Sequence, residues 1–163
     1  MEEVGDICGL RGGYRFGDFG YFKSDYIEFG TDMIKSKALD DRLGCAIMLE
    51  FLQKKSKFKY TCVFTVQEEV GTRGATVSAY TVNPDYAIVI ETTTASDIPD
   101  TPDNKKVCKV GKGAVVSFMD RSTVYPRDLY RKAMAVAKEK NIKAQTKTMV
   151  AGGNNAGQIH KSA

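Results

Sequence analysis

An α/β fold built on a mostly parallel sheet is predicted by three features of the sequence. Short β-branched and aromatic runs, YTCVFTV at 60–66, YAIVI at 86–90 and GAVVSF at 113–118, read as buried strands. Stretches with helical periodicity lie between them. Strands that alternate with helices favour parallel pairing through helical crossovers. Sheets of this kind bind ligands beyond the carboxyl ends of their strands, so chemistry is expected directly after 66, 90 and 150.

Each element has its own warrant. Residues 1–36 are rich in glycine, aromatics and charge, which predicts short strands and turns. From 42 to 55, Leu43, Ala46, Ile47 and Phe51 recur at three- and four-residue steps, with Leu49 and Leu52 widening the stripe. That is the apolar face of a helix. A second helix is expected at 72–80, stopped by Asn83-Pro84. A third is expected at 126–140, with Pro126 in its first turn and Leu129, Ala133, Val136 and Ala137 facing inward. Residues 144–150 read as a further strand, followed by the loop AGGNNAG. The GKG at 111–113 lacks the spacing of a phosphate-binding loop and reads as a turn.

Composition narrows the function classes. The chain has 163 residues, 42% apolar and 27% charged, a balance that suits a single globular domain. Its 24 basic and 20 acidic residues leave a formal charge of +4 without a basic, aromatic-lined stripe, so no nucleic-acid partner is expected. No apolar stretch is long enough to span a bilayer, and no leader is evident. Cys8, Cys45, Cys62 and Cys108 form no CxxC pair. A structural zinc site is therefore not expected, and a reducing cytoplasm fits. The sequence holds a single histidine, His160.

Acidic residues occupy the positions where chemistry is expected. Glu68 and Glu69 follow the 60–66 run, Glu91 follows 86–90, and Asp40 and Asp41 precede the first helix. Taken singly, each has an ordinary explanation: an N-cap pair, a solvated turn, a strand-end ion pair. Gathered at one sheet edge, Asp40, Glu68, Glu69 and Glu91 would repel one another unless some were protonated or cations offset their charge.

Five blocks, in order, carry a family resemblance: KALDDRLGCAIMLE (37–50), TVQEEVGTRGA (65–75), IETTTASDIPDTPD (90–103), GKGAVVSFMDRS (111–122) and AGGNNAGQIH (151–160). Together they resemble the glutamyl and tetrahedral aminopeptidases, co-catalytic metallopeptidases of which some members are named cellulases or glucanases. The resemblance implies a three-layer α/β/α zinc-exopeptidase-like fold with a mostly parallel mixed sheet. It implies two divalent ions (zinc or cobalt, with manganese also accepted) and hydrolysis of the N-terminal peptide bond of peptides by a metal-bridging water. On this match Asp40 bridges both metals, Glu69 and Glu91 each bind one, and Glu68 is the general base, while Asp41 and Arg42 support the ligands from behind. No organic cofactor is implied.

The match also departs from the family pattern. The family's two histidine ligands, in His-x-Asp-Glu-Val-Gly and Tyr-x-His-Ser segments, have no counterpart; Met1-Glu2-Glu3-Val4-Gly5 echoes the first only superficially. His160 aligns with a histidine that is not a ligand in relatives, and Asn155 stands where they carry aspartate. Residues 1–163 are therefore expected to form a single partial catalytic domain without the family's insert and assembly domain. Such a domain would hold fewer ions and could be inactive by itself, and homo-oligomerisation is expected of a full-length parent. Two alternatives remain open on the sequence: a glycan hydrolase using Glu68 and Glu91, and an inactive paralogue acting as a binding module.

Overall fold

A computed structural model describes residues 15–19 and 25–162. Cys8 and the Met1–Gly5 echo lie outside the described residues. Strands β1 (Ile27–Phe29) and β2 (Met33–Lys35) form an antiparallel hairpin with Phe29 opposite Met33. Its turn uses left-handed backbone at Gly30 and Asp32, as tight reversals require. This hairpin is the short strand-and-turn structure expected of the N-terminal region.

Helix α1 spans Leu39–Leu52, α2 Arg73–Val82, α3 Arg127–Glu139 and α4 Ala156–Ser162. The first three fall where the sequence predicts them. Strand β3 (Ala114–Val116) pairs in parallel with β4 (Ala144–Thr146), with Val116 opposite Thr146. α3 supplies the crossover and packs on both strands. Tyr130 of α3 hydrogen-bonds Thr146 across this unit at 2.6 Å and meets the Phe118 ring edge-on at 6.3 Å. At the head of β3, Gly113 has φ 94 and lies against the Lys143 carbonyl, so a side chain there would collide with backbone.

α2 and α4 pack on each other; Ala75 and Ala79 of α2 and Gly157 of α4 are buried. Val107 and Cys108 complete the buried apolar set among the described residues.

The runs at 60–66 and 86–90 differ from expectation. Among the described residues neither joins a β-ladder, and large side chains on them face solvent, Val66 at 68% and Ile88 at 91% exposure. A strand loses water from both faces only when neighbours flank it and a second layer covers it. The fold is mixed α/β with one parallel and one antiparallel strand pair, and the continuous, mostly parallel sheet is not formed among the described residues.

Candidate metal centre

The first turn of α1 is irregular, and the irregularity builds the site. Ala38 is left-handed (φ 55, ψ 39), and Asp40 (−86, 108) and Asp41 (−118, 50) depart from helical dihedrals. The peptide between the two aspartates is cis. Regular helix begins at Arg42, where the apolar periodicity also begins. Asp41 turns back to accept the Gly44 amide on Oδ1 at 2.9 Å. Gly44 is buried, and a Cβ there would overlap the Asp41 carboxyl group, its Cγ being 2.7 Å away.

Carboxylate oxygens of Asp40, Asp41 and Glu91 lie within 4.8 Å of one another. Glu68 stands near enough to feel Asp40 and Asp41 and to act on Glu91. Among the described residues no lysine or arginine forms an ion pair with any of these four. The result is a group of acids with no compensating cation among the described residues. Burial, then the Asp41 charge, then Asp40 and Glu68 push Glu91 up to about 8. Burial and the neighbouring Glu69, Asp40 and Asp41 raise Glu68. Burial also raises Asp41, partly offset by the Gly44 amide. Glu91 Oε1 is buried and makes no hydrogen bond.

The structure therefore brings Asp40, Glu91 and Glu68 together as expected of their positions. It differs at two places. Asp41, expected as support, is itself a member of the close trio, because the non-helical turn carries both aspartates to one side. Glu69, expected as a ligand, is exposed, acts on Glu68 and lies outside the trio. Arg42 is exposed. His160 is also exposed, sits on α4 with Nε2 3.3 Å from the Ser122 carbonyl, and is not part of the trio.

A second buried carboxylate escaped sequence reading. Asp120 is 5% exposed. Its Oδ1 accepts from Ser122 N (2.7 Å), Ser122 Oγ (3.0 Å) and Thr123 N (2.8 Å), and its Oδ2 from Tyr125 Oη (2.6 Å). Burial alone would raise this group, but the bonds from Tyr125, Ser122 and Thr123 outweigh it and hold Asp120 below the ordinary aspartate value. The signal was present as Asp-x-Ser-Thr, an aspartate that caps its own turn.

The family model of the M42 glutamyl aminopeptidases matches residues 10–163. A protein of Acetivibrio thermocellus named putative aminopeptidase is 37% identical over 149 residues, covering 90% of this chain and 44% of the relative. The solved aminopeptidase APDkam598 of the archaeon Desulfurococcus kamchatkensis superposes with a TM-score of 0.82 at 32% identity, covering 93% of this chain and 44% of that one. The TET1 peptidase of Pyrococcus horikoshii, described as assembling into a tetrahedron or a large octahedral shell, gives 0.69 at 29% identity over 90% of this chain and 44% of its own. The chain thus spans less than half the length of these relatives. The trio lies inside the matched region, and on these matches the chain belongs to the M42 glutamyl aminopeptidase family.

Proposed function

We propose that this chain forms part of the catalytic domain of a metal-dependent aminopeptidase that cleaves the N-terminal peptide bond of peptides. One observation carries the reading: three carboxylates converge within 4.8 Å beside a fourth, with no cation among the described residues to offset them. The buried, unpartnered Glu91 Oε1 tests the fit of a metal, since such an acceptor is costly unless something binds it. The donor set is all carboxylate oxygen, which suits hard divalent ions such as manganese as well as zinc or cobalt.

Asp40, Asp41 and Glu91 would hold one ion. Glu69 is retained as the ligand proposed for a second ion, beyond the trio. Bound there, the ions supply Lewis-acid polarisation of the scissile carbonyl and positive charge against the developing oxyanion. Glu68 does the proton work: it takes a proton from the attacking water and returns one to the leaving amine. Burial and the neighbouring acids raise its pKa, the direction that strengthens a carboxylate as a base.

The longer protein would complete a three-layer α/β/α core with a mostly parallel sheet, covering the apolar surface of 60–66 and 86–90. The name of the Pyrococcus horikoshii peptidase supports proposing a homo-oligomer for that protein. Cys45, Cys62 and Cys108 are free thiols, which fits a cytoplasmic setting. No helix among the described residues is long and apolar enough to cross a membrane.

The decisive experiment pairs calorimetry with Mn2+ or Zn2+ and hydrolysis of amino-acid p-nitroanilides with and without EDTA. Glu68→Gln is expected to keep metal binding and lose turnover by at least a hundredfold. Wild-type turnover in that variant would remove Glu68 from its role. EDTA-insensitive cleavage of a glucan would replace the peptidase reading with a glycosidase.

A further inference from the structure

We propose that Asn155 is a positioning residue, clamping the arm that carries Glu68 to a frame built around Asp120. The inference rests on the reading of Glu68 as the base. The key contact spans 90 positions of sequence: Asn155 Nδ2 donates to Thr65 Oγ1 at 3.0 Å. Thr65 lies three residues before Glu68.

The far side of this arm is already tied down by main chain. Glu68 O accepts from Gly71 N (3.1 Å) and Thr72 N (2.9 Å), Gln67 O from Arg73 N (3.2 Å), and Val66 O from Gly74 N (3.1 Å). These bonds fasten the arm to the start of α2. The Asn155 bond fastens it on the N-terminal side, so Glu68 is held between two supports.

Asn155 itself is anchored independently of the arm. At the head of α4 its carbonyl accepts from Gln158 N and Ile159 N. The preceding Asn154 accepts Ala156 N on Oδ1 at 2.8 Å and donates through Nδ2 to Tyr125 Oη at 3.0 Å. Arg121 N donates to Gly152 O at 2.9 Å. Gly153 and Gly157 press on Ser122 so closely that a Cβ at 153 would sit 2.9 Å from Ser122 Oγ. Ser122, Tyr125 and Asn154 all converge on the Asp120 carboxylate. The loop at 151–157 is thus a rigid frame from which one amide reaches out to Thr65.

The other half of that amide, Oδ1, is buried and unpaired. The side-chain bond that this amide does make is the outward one to the base-bearing arm.

The test is hydrogen exchange by mass spectrometry on wild type, Asn155→Ala, Thr65→Val and the double variant, beside p-nitroanilide kinetics with Mn2+. A positioning role predicts about tenfold faster exchange at 66–69 in either single variant, with α2 and α4 unchanged. The double variant should add nothing further, and Thr65→Ser should restore wild-type exchange. In kinetics, kcat should fall about tenfold with KM unchanged. Unchanged exchange at 66–69, or equal loosening of α2 and α4, overturns the proposal. If wild type hydrolyses nothing while exchange at 66–69 responds as stated, the clamp stands and the peptidase reading of this chain fails instead.

Discussion

Asp120 and Glu91 are both carboxylates withdrawn from water, yet one is ringed by donors and the other by acids. Asp120 accepts four hydrogen bonds of 3.0 Å or less and is held below the usual aspartate range. Glu91 shares its space with Asp40, Asp41 and Glu68, leaves one oxygen unpaired and is pushed up to about 8. Desolvation opposes the charge at both sites. At Asp120 the chain supplies the compensation from its own turn; at Glu91 the described residues supply none, which is the arrangement expected of a site completed by a cation. Burial of a carboxylate therefore says little about function until its donors are counted.

Removing the compensated charge should have the largest effect. Asp120→Ala leaves Ser122 N, Thr123 N and Tyr125 Oη without their acceptor and is expected to cost about 3 kcal/mol in urea unfolding. A loss under about 1 kcal/mol would mean that the turn stands without it.

The next largest effect is at the other site. Saturating Mn2+ or Zn2+ at roughly a hundredfold excess over Kd should stabilise the chain by about 2.7 kcal/mol. A rise in Tm is the readout, and it should disappear in Asp40→Asn and Glu91→Gln while surviving in Tyr125→Phe. An equal rise in all three variants would detach the ion from the trio.

The two carboxylates should also respond oppositely to pH. Glu91 has a folded pKa above its ordinary 4.5, so without metal its stabilising contribution is full below 4.5 and is lost as pH rises to about 8. Asp120 is lowered, so its contribution is present above the ordinary 3.8 and is lost as pH falls through its depressed folded value. Glu91→Gln should accordingly stabilise the metal-free protein at pH 8, by about 1 kcal/mol, and flatten its Tm between pH 5 and about 8. Destabilisation by that variant would make Glu91 a second Asp120. The smallest change is Tyr125→Phe, which removes one donor from a well-supplied carboxylate and should cost roughly 1 kcal/mol.

The sequence was informative where structure is local. The apolar repeat from Arg42 located α1 because regular helical dihedrals begin just there, the repeat at 126–140 located α3 equally directly, and Asn83-Pro84 marked the end of α2. Glu68 and Glu91 stand out as acids at the ends of apolar runs, and Asp40 as an acid just before the first helix. Pairing was less legible: 60–66 and 86–90 have strand composition, but a ladder depends on partners distant in sequence. Asp41 joins Asp40 and Glu91 where backbone at Ala38 and at 40–41 leaves helical geometry, and residue type alone does not encode that turn. Asp120 was overlooked because its turn motif resembles an ordinary loop until Tyr125 and Asn154 are brought to it.

Gly44 carries a consequence for how such a site is built. An interior glycine costs a helix about 1 kcal/mol relative to alanine, and α1 bears this cost because a methyl group at 44 would displace the Asp41 carboxyl group. Alanine there would regain that helix propensity but close the space Asp41 occupies, so the glycine at 44 is what leaves room for Asp41 beside Asp40 and Glu91.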